Sequence, residues 1–312
     1  MTPVAAIGMF LVGAGMAVWA TERLLDGMVG LAGAARLSAF AVGAVLSGFE
    51  AENVAVGLAA AGSHAPIIAL GTVFGGAIFL VCVALGLGAI ISPLHVRVPG
   101  GLLATMASAP LLAGLAVVSD RAARLVGAVL LAAFVCFMWY VVRSSRRHPG
   151  LAQAERRAAG DEPRSLGSSL RLTALGLVVI SIGAKLVIDG ATRIIAVFGV
   201  SAALMGMVVT PAAIELEEII RQAVPARRGH PEVSAGNLIG TLLYFVLFNL
   251  GLITLIAPLR IAPSTRWLDW PFLVASTWLA AVFLARGRVG RAEGMALLIL
   301  YGMYVAAHVR FT

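Results

Sequence analysis

The chain has 312 residues, of which 60% are hydrophobic and only 12% are charged. Soluble domains carry about 25% charged residues, so this composition excludes an ordinary soluble fold and predicts a polytopic membrane protein. The formal net charge is +8, but almost all positive residues are arginines between apolar runs, which indicates membrane topology rather than nucleic-acid binding. No basic segment precedes the first apolar run, so we expect no cleaved signal peptide.

Apolar windows of about 20 residues predict an all-α fold with about ten transmembrane helices. The first five helices cover residues 3–34, 37–61, 65–91, 101–118 and 124–142. The last five cover residues 170–199, 201–224, 232–256, 270–285 and 290–309. We therefore divide the chain into a first repeat (1–142), an arginine-rich linker (143–169) and a second repeat (170–312).

The arginines between the predicted helices indicate orientation, because positively charged loops stay in the cytoplasm. If the linker is cytoplasmic, the following residues are also inside: Arg36, Arg97, Arg227, Arg228, Arg286, Arg288 and Arg291. A smaller set falls outside: Arg121, Arg124, Arg193, Arg260, Arg266 and Arg310. We therefore expect both termini outside, in a prokaryotic plasma membrane.

The two halves share short matches at nearly constant spacing. Asp26-Gly27 matches Asp189-Gly190, and Gly43 matches Gly206, at an offset of 163 residues. Later glycines match at an offset of 165 residues: Gly71 with Gly236, Gly75 with Gly240, and Gly86 with Gly251. Since each repeat holds an odd number of helices, the second must enter the membrane upside down. Inverted repeats are a transporter architecture with the substrate site near the midplane.

Two acidic clusters interrupt otherwise apolar helices, one in each half. Glu50 and Glu52 lie in the second predicted helix, and Glu215, Glu217 and Glu218 lie in the seventh. A charge at the bilayer centre costs at least about 2.5 kcal/mol, so its default interpretation is functional. Carboxylate, amide and hydroxyl oxygens suit a hard cation such as Ca²⁺. We expect one shared midplane site, with these neutral ligands: Ser47, Asn53 and Thr210, and more weakly Thr72, Asn237 and Thr241.

Residues near the acidic clusters predict helix breaks and ion pairs. Gly48 and Pro211 precede the acids and are placed to kink or unwind each helix. Arg221 follows Glu217 and Glu218 by about one turn; it either snorkels to cytoplasmic water, which we expect, or acts as a tethered cation on the site. Lys185 and Asp189 are one turn apart, and we expect them to pair.

These motifs resemble those of the cation/calcium exchanger superfamily, which contains sodium/calcium and proton/calcium antiporters. Residues 48–53 and 213–218 stand where that family has its acidic second-helix motif, and 71–77 and 236–242 stand where it has its third-helix motif. The resemblance implies ten helices in two inverted halves. It places the family's ion-binding glutamate at Asn53 and at Glu218, whereas counting from Gly43 and Gly206 pairs Glu52 with Glu215.

We therefore expect a secondary antiporter without a cofactor, which exchanges Ca²⁺ against Na⁺. Its partners would be small inorganic cations and the lipid bilayer, with no nucleic acid. Protons remain open as the coupling ion, because the chain has surplus carboxylates and has Ala77 and Leu242 where the family has a sodium-ligand asparagine.

Two other classes of protein compete with an antiporter as interpretations of the sequence. A membrane enzyme, such as a lipid-phosphate hydrolase, would need acids and histidines at the headgroup level. Here the acids are deep and the clusters hold no histidine, so we expect no enzyme. A non-transporting relative that acts as a membrane subunit also fits the altered motifs.

Overall fold

The computed structural model describes residues 3–35, 38–46, 69–118, 123–147, 165–196, 208, 212, 215–256 and 261–311. Within these ranges the chain is helical, apart from short connections and an antiparallel bridge between Leu94 and Val289. Six of the described helices are long and apolar enough to cross a membrane. The predicted all-α membrane fold is confirmed.

The described residues form ten helical segments, five in each half. The first half holds α1 (Pro3–Ala35), α2 (Ala39–Leu46), α3 (residues 69–91), α4 (Gly100–Val118) and α5 (Ala123–Arg147). The second half holds α6 (Leu166–Ala196), α7 (Leu216–Arg227), α8 (Pro231–Ile256), α9 (Thr265–Ala285) and α10 (Arg291–Phe311). π-helical turns interrupt α3 at Gly71–Gly75 and Leu80–Ala84, and α8 at Tyr244–Asn249.

Several helix ends differ from the predicted ones. Helix α5 continues to Arg147 rather than ending at 142, and α6 begins at Leu166 rather than at 170. Helix α9 begins with a π turn at Thr265 rather than at 270. A hydropathy window stops at the first charges, whereas backbone hydrogen bonds continue into the polar interface. The division into two repeats and a linker stays a prediction.

Helices α1 and α6 pack against each other in opposite directions. A Cβ atom on Gly27 would meet Thr173, and one on Gly176 would lie 2.8 Å from the Leu24 side chain. Further along, Ala20 packs against Val179. Positions later in one helix therefore meet positions earlier in the other, as inverted halves require. The predicted pair on α6 is confirmed, with 3.7 Å between Lys185 Nζ and Asp189 Oδ2.

Helices of opposite halves also meet at glycines that the repeat analysis matched. Helix α2 packs on α8, where a Cβ on Gly43 would lie 2.7 Å from the carbonyl oxygen of Val233. On the same contact, Gly236 and Gly240 leave room for the backbone oxygens of Phe40 and Ala44. Small residues four apart let two helix backbones approach closely in a membrane.

The same arrangement recurs where α3 crosses α10 and where α8 crosses α5. A Cβ on Gly86 would lie 3.0 Å from the carbonyl oxygen of Gly294, and one on Gly251 would lie 3.1 Å from that of Gly127. Gly86 and Gly251 are equivalent in the repeat, at the offset of 165 residues. The two halves are therefore interlocked, since each packs its third helix against the last helix of the other.

Two of the connections that carry predicted inner arginines are in contact with each other. The bridge between Leu94 and Val289 joins the α3–α4 and α9–α10 connections, and Gly287 lies against the Arg97 side chain. At the end of α7, Arg228 Nη1 lies 3.1 Å from Asp26 Oδ1 on α1. These contacts place Arg97 beside the connection that carries Arg286 and Arg288, while the grouping of all the inner arginines on one face stays a prediction.

A buried polar cluster joins α9 to α10. Asp269 is fully buried, and its Oδ1 accepts hydrogen bonds from the Tyr304 hydroxyl at 2.8 Å and from His308 Nε2 at 2.7 Å. These two donors compensate for the burial of the carboxylate, so the cluster stabilises the contact between the two helices. Sequence patterns did not indicate this cluster, because its members are 35 and 39 residues apart.

Replacing Gly240 with alanine should weaken the contact between α2 and α8. The new methyl group would collide with the Ala44 carbonyl oxygen, and overpacking of this kind costs about 1–3 kcal/mol. Gly302→Ala is the matched control, because a Cβ on Gly302 meets nothing within 4 Å. Thermal unfolding in detergent should show a lower Tm for Gly240→Ala alone. Equal Tm values for both variants would contradict the described contact.

Removing the Tyr304 hydroxyl should destabilise the contact between α9 and α10. A hydrogen bond to a charged group contributes about 1.5–3 kcal/mol, so Tyr304→Phe should lower the Tm in detergent. Tyr301→Phe is the control. Tyr301 lies about one turn before Tyr304 on α10, its ring packs against Phe79, and its hydroxyl has no hydrogen bond among the described residues. The role of Asp269 would be refuted if both variants unfolded together.

Candidate cation site

The acidic cluster of the second half lies at the start of α7. Glu215 precedes the helix with φ −88° and ψ 5°, and Glu217 and Glu218 occupy its first turn. The free N–H groups at a helix N-terminus carry partial positive charge, which stabilises carboxylates there. The sequence predicted one helix over 201–224, with a break before the acids. In the described residues the helix begins at Leu216, while Pro211 lies outside them.

Two of these acids bind Arg221, which corrects the expected role of that arginine. Arg221 is 7% exposed rather than extended to water. Its Nη2 lies 2.6 Å from Glu217 Oε1, and its Nη1 lies 2.7 Å from Glu218 Oε1. Spacings of three and four residues allow this contact on a helix. The expectation that Arg221 snorkels is wrong, because its guanidinium binds two buried carboxylates instead of reaching water.

Helix α8 supplies a second donor to the cluster. Asn237 Nδ2 donates to Glu218 Oε2 at 2.6 Å, and both residues are at most 1% exposed. One turn away, the Ser234 hydroxyl donates to the carbonyl oxygen of Gln222 at 2.8 Å. These contacts run antiparallel along α7 and α8, so the polar faces of the two helices are joined along their length. Asn237, predicted as a ligand, is thus placed at the acidic cluster.

Glu215 reaches across to the other half of the molecule. It is 1% exposed, and a Cβ atom on Gly76 would lie 3.5 Å from its Oε1. Gly76 follows the π turn Gly71–Gly75 on α3, in the third-helix motif of the first half. π turns inside α-helices are frequent at functional sites. The second-half cluster therefore lies against the first-half motif.

Unsatisfied oxygen atoms lie beside the acids on α8. Thr241 is fully buried, and its Oγ1 has no hydrogen-bond partner among the described residues. The same holds for Oδ1 of Asn237, one turn earlier on the same face. Buried polar atoms are normally satisfied, so such atoms beside carboxylates suit a bound ion or water. The cluster can thus offer carboxylate, hydroxyl and amide oxygens to a cation.

Several predicted ligands lie outside the described residues. These are Ser47, Glu50, Glu52, Asn53 and Thr210. Thr72 lies in the π turn of α3, and only its backbone is described. Within the described ranges, no three histidine, cysteine or acidic residues are grouped to hold a metal ion. A site shared between the two acidic clusters therefore stays a prediction.

Two residues at the cluster were missed from sequence. Gly76 is the repeat equivalent of Thr241, at the 165-residue offset, so the repeat pattern could have pointed to it. Gln222 follows Glu218 by one turn and is fully buried, with neither side-chain polar atom bonded among the described residues. Its polarity inside an apolar run was a usable signal, but the charged neighbours dominated the interpretation.

Interlocked inverted halves around a helix that begins inside the protein with acidic residues define a secondary transporter. The chain belongs to the sodium/calcium exchanger protein family, whose family model matches residues 5–143 and 168–310. The family consists of exchangers rather than enzymes, and its members exchange cations across membranes. The resemblance inferred from the motifs is confirmed.

Relatives and solved structures match this chain over part or nearly all of its length. Inner membrane protein YrbG of Escherichia coli is 25% identical over 308 residues, which cover 96% of this chain and 95% of that protein. Sodium/calcium exchanger MaX1 of Methanosarcina acetivorans is 26% identical over 128 residues, 41% of this chain and 37% of that protein. The sodium-calcium exchanger NCX_Mj, soaked with 10 mM Na⁺ and 10 mM Sr²⁺, superposes with a TM-score of 0.79 at 25% identity, covering 98% of this chain and 99% of that one.

Asn237→Leu should destabilise the protein, because it leaves one oxygen of Glu218 without its donor. An unsatisfied buried acceptor costs about 1–3 kcal/mol. Asn249→Leu is a matched control on the same helix, since Asn249 is also fully buried but neither of its amide atoms is bonded among the described residues. Thermal unfolding in detergent should separate the two variants. A larger loss for Asn249→Leu would contradict the contact between Asn237 and Glu218.

Proposed function

We propose that this protein is a secondary antiporter that exchanges Ca²⁺ for Na⁺ through a carboxylate site near the bilayer midplane. The observation that carries the proposal is the position of Glu215, a buried carboxyl group from the second half that lies beside Gly76 of the first. An ion held between inverted halves can be exposed to either side in turn. Membership of an exchanger family supports the same reading.

The proposed ligands come from both halves. The second half would contribute Glu215, Glu217, Glu218, Asn237 and Thr210, and the first half Ser47, Glu50, Glu52, Asn53 and Thr72. Hard cations take six to eight oxygen ligands, so a complete Ca²⁺ shell needs residues from more than one helix.

The proposed orientation follows from an arginine-rich face that we predict the α3–α4, α7–α8 and α9–α10 connections to share. We place this face in the cytoplasm of a prokaryotic cell, because positively charged loops are retained there. Helix α1 begins and α10 ends at the opposite face, which puts these two ends outside. The helix pair α1–α6 lies on the side of α7, where Ala20 packs near Ile220, and we propose that it slides over the core during transport.

Transport by reconstituted protein tests the proposal directly. Proteoliposomes should accumulate ⁴⁵Ca²⁺ when an outward Na⁺ gradient is imposed. Glu215→Gln should reduce this uptake by at least about tenfold, the equivalent of about 1.4 kcal/mol of binding free energy. Glu293→Gln serves as the control, because Glu293 accepts a hydrogen bond from Gly290 at the surface end of α10, and glutamine can still accept it.

Flux measurements with the same vesicles identify the coupling ion. Uptake with a pH gradient alone, and none with a Na⁺ gradient, would replace the proposal with a proton-coupled divalent-cation antiporter. Surplus carboxylates make protons the rival coupling ion, since buried acids at close quarters readily hold protons. No uptake under either gradient by folded protein would refute transport and favour a membrane subunit.

A further inference from the structure

Polar side chains of α8 continue beyond the acidic cluster. Asn237 donates to Glu218, and Thr241 follows one turn later on the same face. Eight residues further along the helix, Asn249 is fully buried, and neither of its amide atoms has a hydrogen-bond partner among the described residues. Buried polar atoms are normally satisfied, so an amide of this kind inside a transporter points to a ligand that it meets during function.

Asn249 faces away from α5. Phe248 packs against Phe134 of α5, with 5.2 Å between the ring centroids. Gly251 contacts the same helix at Gly127. At about 100° per residue, Asn249 points about 100° from Phe248 and about 160° from Gly251. Its side chain therefore lies on the side of α8 opposite to α5, inside the protein.

The π turn of α8 brings Asn249 onto the face of Thr241. On a regular helix, residues eight apart point about 80° from each other. One extra residue within Tyr244–Asn249 turns the later residue back by about 100°, which leaves about 20° between the two side chains. The same turn contacts the π turn Gly71–Gly75 of α3. Asn249 therefore continues the polar line of α8 on the side that faces the candidate site.

An aromatic ring separates Asn249 from the acidic cluster. Phe245 is fully buried, and it lies between Thr241 and Asn249 on α8, four residues from each. A Cβ atom on Gly76 would lie 3.4 Å from the Phe245 ring and 3.5 Å from Glu215 Oε1, so the ring and the carboxylate flank the same point of α3. An apolar side chain within a polar line can close a path to water and ions, as constrictions in channels do.

We propose that Asn249 is a relay ligand for the transported cation, on the path between the acidic cluster and the face of the membrane where α8 ends. The Phe245 ring separates the relay from the cluster and moves aside when the ion passes. The amide oxygen of Asn249 suits a hard cation. Because the side chain carries no charge, it binds the ion weakly enough to release it, as conduction requires. The inference rests on the proposed antiport and adds a route to its site.

Replacing Asn249 with leucine should slow transport without weakening the protein. Asn249→Leu removes the amide and keeps a similar volume, so proteoliposomes should take up ⁴⁵Ca²⁺ at least about fivefold more slowly under a Na⁺ gradient, the effect of losing about one hydrogen bond. Equilibrium ⁴⁵Ca²⁺ binding in detergent should match that of the wild type, because the acidic cluster is intact. The Tm should not fall, because the lost amide has no partner among the described residues.

Thr254→Val is the matched control for transport. Thr254 is also buried on α8 and its hydroxyl is unbonded among the described residues, but it points about 140° from Asn249. This variant should take up ⁴⁵Ca²⁺ at the wild-type rate. The relay would be overturned by wild-type uptake in Asn249→Leu, by weaker equilibrium binding, which would make Asn249 part of the central site, or by a lower Tm, which would make it structural. Absence of uptake by the wild type would instead refute the antiport.

A labelling experiment covers the case in which Asn249→Leu does not fold. In Asn249→Cys, a positively charged methanethiosulfonate reagent should modify the thiol at position 249 in detergent, because the reagent can follow the path of a cation. Mass spectrometry locates the adduct. Native Cys82 is the internal control, since it is fully buried on α3, and it should stay unmodified. An unmodified position 249, or equal modification of Cys82, would overturn the proposal.

Discussion

Backbone-to-backbone contact between helices of opposite halves is the constraint on which the rest depends. Lipid gives little hydrophobic force between helices, so association relies on close packing of small residues. Gly236 and Gly240 bring α8 against α2, and each is followed directly by a residue of the candidate site, Asn237 and Thr241. The face of α8 next to the glycines is therefore held against α7, and the polar atoms stay in register with the acids.

Two buried carboxylates of the acidic cluster, Glu217 and Glu218, have local compensation. Glu217 and Glu218 sit in the first turn of α7, where the helix end is partially positive, and Arg221 binds both. Asn237 completes the shell of Glu218. Burial of Glu217 and Glu218 is therefore offset by charge and hydrogen bonding within the cluster itself.

Much of the fold could be predicted from the sequence, because long apolar runs are constrained by the bilayer and by their own backbone hydrogen bonds. The offset of 165 residues pairs Gly86 with Gly251, and each of the two glycines contacts a helix of the other half. The role of Arg221 was harder to predict, since spacing of three and four residues allows a salt bridge but does not decide burial. The Asp269 cluster could not be predicted, because its partners are brought together only by the packing of α9 on α10.

The π turn of α8 changes which neighbouring helices its glycines contact. Gly240 and Gly251 are eleven residues apart, and at about 100° per residue they would point only about 20° from each other on a regular helix. The extra residue in Tyr244–Asn249 rotates the second glycine away, so that one meets α2 and the other meets α5. The turn Leu80–Ala84 falls at the equivalent place in α3. The π turn thus changes the direction in which the second glycine faces, so that α8 packs closely against α2 before the turn and against α5 after it.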